Sequence, residues 1–500
     1  ETSDAKNPNT LPSAALNRDP EGPEAPRNRR IARNTVFLLA GRVTDLVAGL
    51  LAGVLIARHL GAEGYGQFTY ITAFVTMIVS ISYFGLDRIA TRTLAANKDE
   101  APQFVGATIT ARWIMQALAV LVMLASVRSA DIGPGLTLAL CLCTLSELAT
   151  SSAANLNAVF RAYARMDVEA MLTVVWRLTT LAGIVMAVWL KFDITGLCAI
   201  ILLGNLPRLL MALVLLRSRF VKPVFTFDWP RIRNLMASSM VLGISTLFSI
   251  WFFRAAQFAL NALRDKSAVG LFQVGQSMLQ QSMMLAVSLT LAVLPAVSAL
   301  AKASDENRRQ LTGIYRGTGR HLILMGSAIS LTLIVFADEV VRVLFGPSFA
   351  AAVPSLRVVI LAAVPLFLCL LNASYFIAFN LQKYLTLSWG VTLAAVYAFY
   401  FLLIPRFDLV GAGWALVAAM VLNVAIQSVF FRMTTLRFLR FPLVPAVGTA
   451  VLLVAALLLL DGGRSLLIRI PVYAVMLVAG MMLWLKGGRV RPPLPPGGIR

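Results

Sequence analysis

Runs of about twenty apolar residues follow one another along almost the whole chain, and this repetition restricts the fold more than any other feature. A run of that length is what an α-helix needs to cross about 30 Å of hydrocarbon while satisfying its own backbone hydrogen bonds. Fourteen are expected, near 35–57, 67–90, 107–127, 134–156, 170–190, 195–216, 235–258, 269–300, 320–337, 353–378, 385–404, 411–431, 442–460 and 470–485. Composition agrees. The chain is 59% hydrophobic and 13% charged, with a mean hydropathy of +0.79, whereas soluble domains carry about a quarter charged residues. The expected fold class is an all-α polytopic membrane protein with two six-helix lobes, related by a pseudo-twofold repeat, plus two C-terminal helices.

The net charge of +21 would suit nucleic acid if it were gathered in one soluble segment, but the basic residues are spread among short loops, so no nucleic-acid partner is expected. Their sidedness is more telling. With a cytoplasmic N-terminus, the cytoplasmic tails and loops hold 29 Lys and Arg and the external loops 9. This asymmetry follows the positive-inside rule, and an even number of spans returns the C-terminus to the cytoplasm. A multi-pass protein of the inner (plasma) membrane is the result.

Five regions are expected: a disordered cytoplasmic tail over 1–30, six-helix lobes over 31–220 and 221–437, two further spans over 438–486, and a short tail over 487–500. The first tail holds Pro8, Pro12, Pro20, Pro23 and Pro26 and too little apolar surface to fold.

Cys141, Cys143, Cys198 and Cys369 fall inside spans at no metal-ligand spacing and read as small buried hydrophobes. His59 and His321 sit at opposite membrane faces and cannot share a site. No metal and no cofactor are expected.

"IARHLGAEGYGQFTYI" (56–71) and "ALRDKSAVGLFQV" (262–274) each join the first two spans of a six-span block. Aligning Gly66-x-Phe68 with Gly270-x-Phe272 implies an offset of 204 residues. Each block has an even number of spans, so the repeats are parallel and related by an axis along the membrane normal. A cleft between two such lobes is the natural transport path.

"LGAEGYGQFTY", "FGLDRIATRTLA", "VFRAYARMDVEA", "VLFGPSFAAAVPSLRVV" and "LIPRFDLVGAGWALV", in this order from about Asn34 to Arg432, resemble the polysaccharide flippases of the multidrug/oligosaccharidyl-lipid/polysaccharide exporter superfamily. The resemblance implies two six-helix lobes about a central cavity, alternating access, and export of a lipid-linked oligosaccharide. The membrane lipids, a polysaccharide polymerase and glycosyltransferases are the further partners to look for. It supplies no catalytic constellation, and the chain is not expected to be an enzyme.

Six arginines lie more than two residues inside a span: Arg42, Arg112, Arg177, Arg208, Arg254 and Arg357. Each costs about 2.5–3.5 kcal/mol at the bilayer centre. Arg112 and Arg357 lie near span ends, where snorkelling to the headgroups would explain them. Against these six, Asp45 and Glu147 are the acids well inside spans, so the interior is expected to be cationic and its client an anion. Arg42, Arg112, Arg177 and Arg208 are placed in a cytoplasm-facing vestibule for a diphosphate, which a guanidinium grips in a fork, and Arg254 receives it later. Asp45 could neutralise Arg42. Glu147 could pair with an arginine or accept a coupling proton.

Polar residues at helical spacing support a lined path: Thr144, Glu147, Ser151 and Asn155; Thr173, Arg177 and Thr180; Asn205 and Arg208; Arg254, Gln257 and Asn261; Gln273, Gln276 and Gln280. Hydrogen bonding between helices is the alternative for the amides. Arg88 with Arg92, and Arg161 with Arg165, are topology determinants that could also hold lipid phosphates at the inner leaflet.

The function expected first is flipping a polyprenyl-diphosphate-linked oligosaccharide from the cytoplasmic to the outer leaflet for cell-surface polysaccharide synthesis. A multidrug extrusion antiporter of the same superfamily is the alternative, though cationic drugs would favour an acidic lining. A membrane glycan polymerase or ligase comes third, because the external loops are too short for an ordered catalytic domain.

Overall fold

In the computed structural model, residues 27–96, 100–129, 133–224, 228–301, 305–439 and 443–460 are described, with 471, 473–476 and 478. Every regular element among them is helical, and ten segments are long and apolar enough to cross a membrane. Of the tail expected over 1–30, residues 1–26 lie outside the described residues, as do the tail over 487–500 and most of the span at 470–485; residues 27–30, expected to be disordered, are the first turn of a helix.

The helices are α1 (Arg27–Val79), α2 (Leu86–Ala96), α3 (Ala101–Ser129), α4 (Pro134–Ala162), α5 (Met166–Trp189), α6 (Ile194–Leu215), α7 (Trp229–Leu263), α8 (Lys266–Ala299), α9 (Asp305–Val335), α10 (Ala337–Leu344), α11 (Val353–Val359), α12 (Ala363–Ala378), α13 (Gln382–Met433) and α14 (Leu443–Leu460). Two of them hold two crossings each. The apolar segment Val43–Ser82 is 40 residues long, about 60 Å of helix at 1.5 Å per residue, and it breaks at Gly61, whose φ of 66° costs glycine nothing sterically. α13, 52 residues long, breaks at Asp408 with a φ of 53°. That left-handed aspartate follows Pro405 and is held by Arg264, which donates to its carboxylate at 2.9 Å and to the Ile404 carbonyl at 3.0 Å.

The chain divides into two compact units. Of the described residues, those up to 56 and within 71–247 form one; those within 57–70 and from 248 onward form the other. In the first, α4, α5 and α6 pack through small residues, as helices do where lipid removes the hydrophobic drive to associate. A β-carbon on Gly204 would stand 2.6 Å from the Thr180 hydroxyl, and one on Gly183 2.7 Å from Ile200. Phe84 (φ 33°) and Gly85 (φ 69°) break the helix between α1 and α2, and the chain carries on along α4, from the Tyr83–Glu147 hydrogen bond to one from Thr91 to the Ala158 carbonyl; Gly85 lies so close to Gly243 of α7 that its β-carbon would meet the Gly243 nitrogen at 3.0 Å.

In the second unit α11 and α12 run through the core: 83% of the most apolar 18-residue stretch within Pro347–Ala378 is buried. Tyr315, Tyr375, Phe376 and Phe431 cluster at one end. Their buried hydroxyls are satisfied, Tyr315 donating to Asn372 at 2.8 Å and Tyr375 to the Leu311 carbonyl at 3.1 Å. The two echoing hinges meet in this unit. A β-carbon on Gly66 would run into the Lys266 carbonyl, one on Gly270 into the Ala62 carbonyl, and each would lie 2.9 Å from the other glycine's nitrogen. An offset of 204 residues maps Ala62 to Lys266 and Gly66 to Gly270, so the contact is reciprocal. The glycines are there for close approach of two backbones.

Candidate substrate site

Charged and polar side chains of the first unit gather on α1, α4, α5 and α6. Arg177 of α5 forms an ion pair with Asp45 of α1, so Asp45 is engaged by Arg177; the side chain of Arg42 lies outside the described residues. The Arg177 guanidinium also stands 4.1 Å from the ring centre of Trp176. Arg208, on α6 one residue beyond Pro207, places its guanidinium over the same ring at 4.6 Å. One indole thus serves two cations.

Arg208 is 8% exposed. No carboxylate lies within ion-pair distance of it among the described residues, and its buried Nε has no hydrogen-bond acceptor. Asp45 and Glu169 act on it only from farther away. A desolvated cation–π contact contributes about 2 kcal/mol, which offsets part of the cost of holding a guanidinium in hydrocarbon and leaves its fork of donors unfilled. The Trp176 Nε1, the Thr180 hydroxyl and the Asn205 side-chain oxygen, all on α5 or α6, are likewise buried without partners.

Arg112 has a different fate from the one expected. It is 1% exposed, ion-paired with Asp87 of α2, and donates to Ser151 at 3.0 Å; Ser151 in turn bonds Ser82 at 2.8 Å. It neither snorkels nor presents a free charge. Asp87 falls at the end of an expected span, just past the left-handed break at Phe84 and Gly85, and meets α3 there. Glu147 accepts a hydrogen bond from Tyr83 at 3.1 Å, one turn along α4 from Ser151.

In the second unit Arg357 pairs with Asp338 of α10 at 2.6 Å. Arg254 is half-buried on α7, within electrostatic range of Tyr65. The amides there bind helices together: Gln257 donates to Gln273 at 2.7 Å and to Gln276 at 2.9 Å. Arg161 and Arg165 are occupied by Glu169 at 2.8 Å and Asp167 at 2.9 Å; the side chains of Arg88 and Arg92 lie outside the described residues. Of the expected anion-binding set, the structure brings together Arg177 and Arg208, and it adds Trp176. The one signal for Trp176 was its position beside a deep arginine. Among the described residues no group of His, Cys, Asp and Glu is arranged to hold a metal ion.

With this geometry in view, comparison with known proteins places the chain. The family model described as polysaccharide biosynthesis protein matches residues 31–301, more than half of the chain. Agl15 of Haloferax volcanii, described as a probable low-salt glycan biosynthesis flippase, is 21% identical over 328 residues, 64% of this chain and 66% of that protein. Among solved structures, the lipid II flippase MurJ in an inward closed conformation aligns with a TM-score of 0.69 at 14% identity, covering 90% of this chain and 99% of that one. An outward-facing multidrug resistance MATE family transporter aligns with a TM-score of 0.62 at 15% identity, covering 86% and 98%. These structural likenesses show a shared fold.

Proposed function

Because the chain belongs to the polysaccharide biosynthesis protein family, and so to the flippases of the multidrug/oligosaccharidyl-lipid/polysaccharide exporter superfamily, we propose that it moves a polyprenyl-diphosphate-linked oligosaccharide from the cytoplasmic to the outer leaflet of the plasma membrane. The carrying observation is Arg208: a buried guanidinium with no carboxylate within ion-pair distance among the described residues, stacked on the ring that also supports Arg177. A diphosphate offers adjacent anionic oxygens that match two guanidinium forks. The prenyl tail stays in lipid while the glycan follows a wet path, and alternating access of the lobes over 31–220 and 221–437 carries the headgroup across. Arg254 serves later in the path, and Arg112 acts by holding Asp87 and Ser151 in place.

Since Asp45 is engaged by Arg177, coupling to a proton gradient is assigned to Glu147, a carboxylate inside the fourth expected span that accepts a hydrogen bond from the Tyr83 hydroxyl. Glycosyltransferases acting in the cytoplasm make the substrate, and a polymerase outside consumes it. Drug extrusion is the weaker reading, because a buried guanidinium without a carboxylate beside it repels organic cations.

The test is reconstitution. Purified protein in liposomes with a fluorescent polyprenyl-diphosphate oligosaccharide is expected to expose the label to an external quencher, and Arg208→Ala to slow that exposure at least tenfold. Extrusion of ethidium with no movement of the lipid would favour the drug transporter.

A further inference from the structure

Cys143 and Cys198 share no sequence neighbourhood and no metal-ligand spacing, yet the fold brings their sulfurs to 2.9 Å. Both are buried, at 6% and 0% exposure. α4 and α6 start side by side, with the Thr195 hydroxyl 3.5 Å from the Gly135 carbonyl. They then run in the same direction through the sulfur pair to the Asn205–Ser146 hydrogen bond at 2.6 Å. Contacts at three successive levels fix the register of the seam, so the sulfurs are opposite each other because of the packing and not through a chance rotamer. Their separation is about 0.9 Å beyond an S–S bond of about 2.05 Å, and closing it takes a small adjustment of two side chains. Cys141 lies on the same helix two residues earlier but is exposed, on another face.

We propose that Cys143 and Cys198 are a disulfide site that clamps α4 to α6. Two S–H bonds break and one S–S bond forms. The two protons and two electrons pass to a two-electron acceptor of the quinone class dissolved in the bilayer, which leaves as the hydroquinone. Because Cys143 lies one turn from Glu147 on α4, the bond fixes the helix that carries that carboxylate. The oxidised pair adds a covalent tie to this seam; the reduced pair leaves it to the noncovalent contacts on either side.

Diamide, an azo compound that takes up the same two hydrogens, is the probe. Membranes holding the full chain are oxidised with it, the protein is denatured, and the remaining thiols are tagged with a maleimide and counted by intact mass. Two tags are expected after diamide, on Cys141 and Cys369, and four after reduction, with a peptide linked through Cys143 and Cys198 in the oxidised sample. Cys143→Ser should carry three tags with or without diamide, and Cys141→Ser should still form the link. Four tags on the oxidised wild-type chain, or a link through Cys141, would overturn the assignment.

Discussion

Gly66 and Gly270 lie backbone against backbone, each with its nitrogen 2.9 Å from where the other's β-carbon would stand. Because the two positions are equivalent under the 204-residue repeat, a substitution at either breaks the same contact. Gly66→Ala and Gly270→Ala are each expected to lower the thermal unfolding temperature in detergent, with a cost of about 1–3 kcal/mol from forced backbone shifts. The double variant should cost less than the sum of the two, since the contact is shared. Full additivity would show that the glycines act separately.

Asp87 balances the buried charge of Arg112. Asp87→Asn leaves that guanidinium uncompensated and is expected to destabilise by about 3–5 kcal/mol, whereas replacing both partners by apolar residues of similar size should be much milder. Yield of folded protein and thermal unfolding measure the difference. Equal loss in the single and double variants would contradict the pairing.

Trp176 holds Arg177 and Arg208 without contributing a charge. Trp176→Leu is expected to remove about 0.5–2 kcal/mol of cation–π stabilisation and to weaken flipping severalfold, and Trp176→Phe should recover part of it. The liposome assay reads both. If Leu and Phe perform alike, the ring serves only to fill space.

Glu147→Gln removes an ionisable group and keeps the side chain's shape. Imposed pH gradients are expected to drive flipping by the wild-type protein and to have no effect on the variant, while Tyr83→Phe, which removes the Glu147 partner, should shift the pH at which the gradient acts. A variant as gradient-dependent as the wild type would exclude coupling through Glu147.

The membrane class and the repeat were legible because both leave periodic marks: apolar runs of crossing length, and a glycine motif returning after 204 residues. Charge pairing was harder to read. Asp45 and Arg42 are three apart and invite pairing by helical spacing, yet Asp45 meets Arg177 across to another helix. Asp87 meets Arg112 across to another helix, just past the left-handed break at Phe84 and Gly85, which polarity patterns do not announce. For the same reason the surplus of deep positive charge is smaller than the sequence count, with Arg112, Arg177 and Arg357 each facing an acid. The meeting of Cys143 and Cys198 depends on the register of two parallel helices, which neither helix encodes alone.

A neutral aromatic plate beneath two arginines has a bearing on how cargo leaves. A carboxylate in that place would compete with every arriving anion and would have to be displaced on each cycle. Arg177 already meets one, Asp45, whereas the indole holds Arg208 without filling its donors, so the Arg208 half of the proposed berth neither collapses when vacant nor resists refilling. Turnover then depends on how weakly each arginine grips the departing headgroup, and the ring is ready to take the cations back.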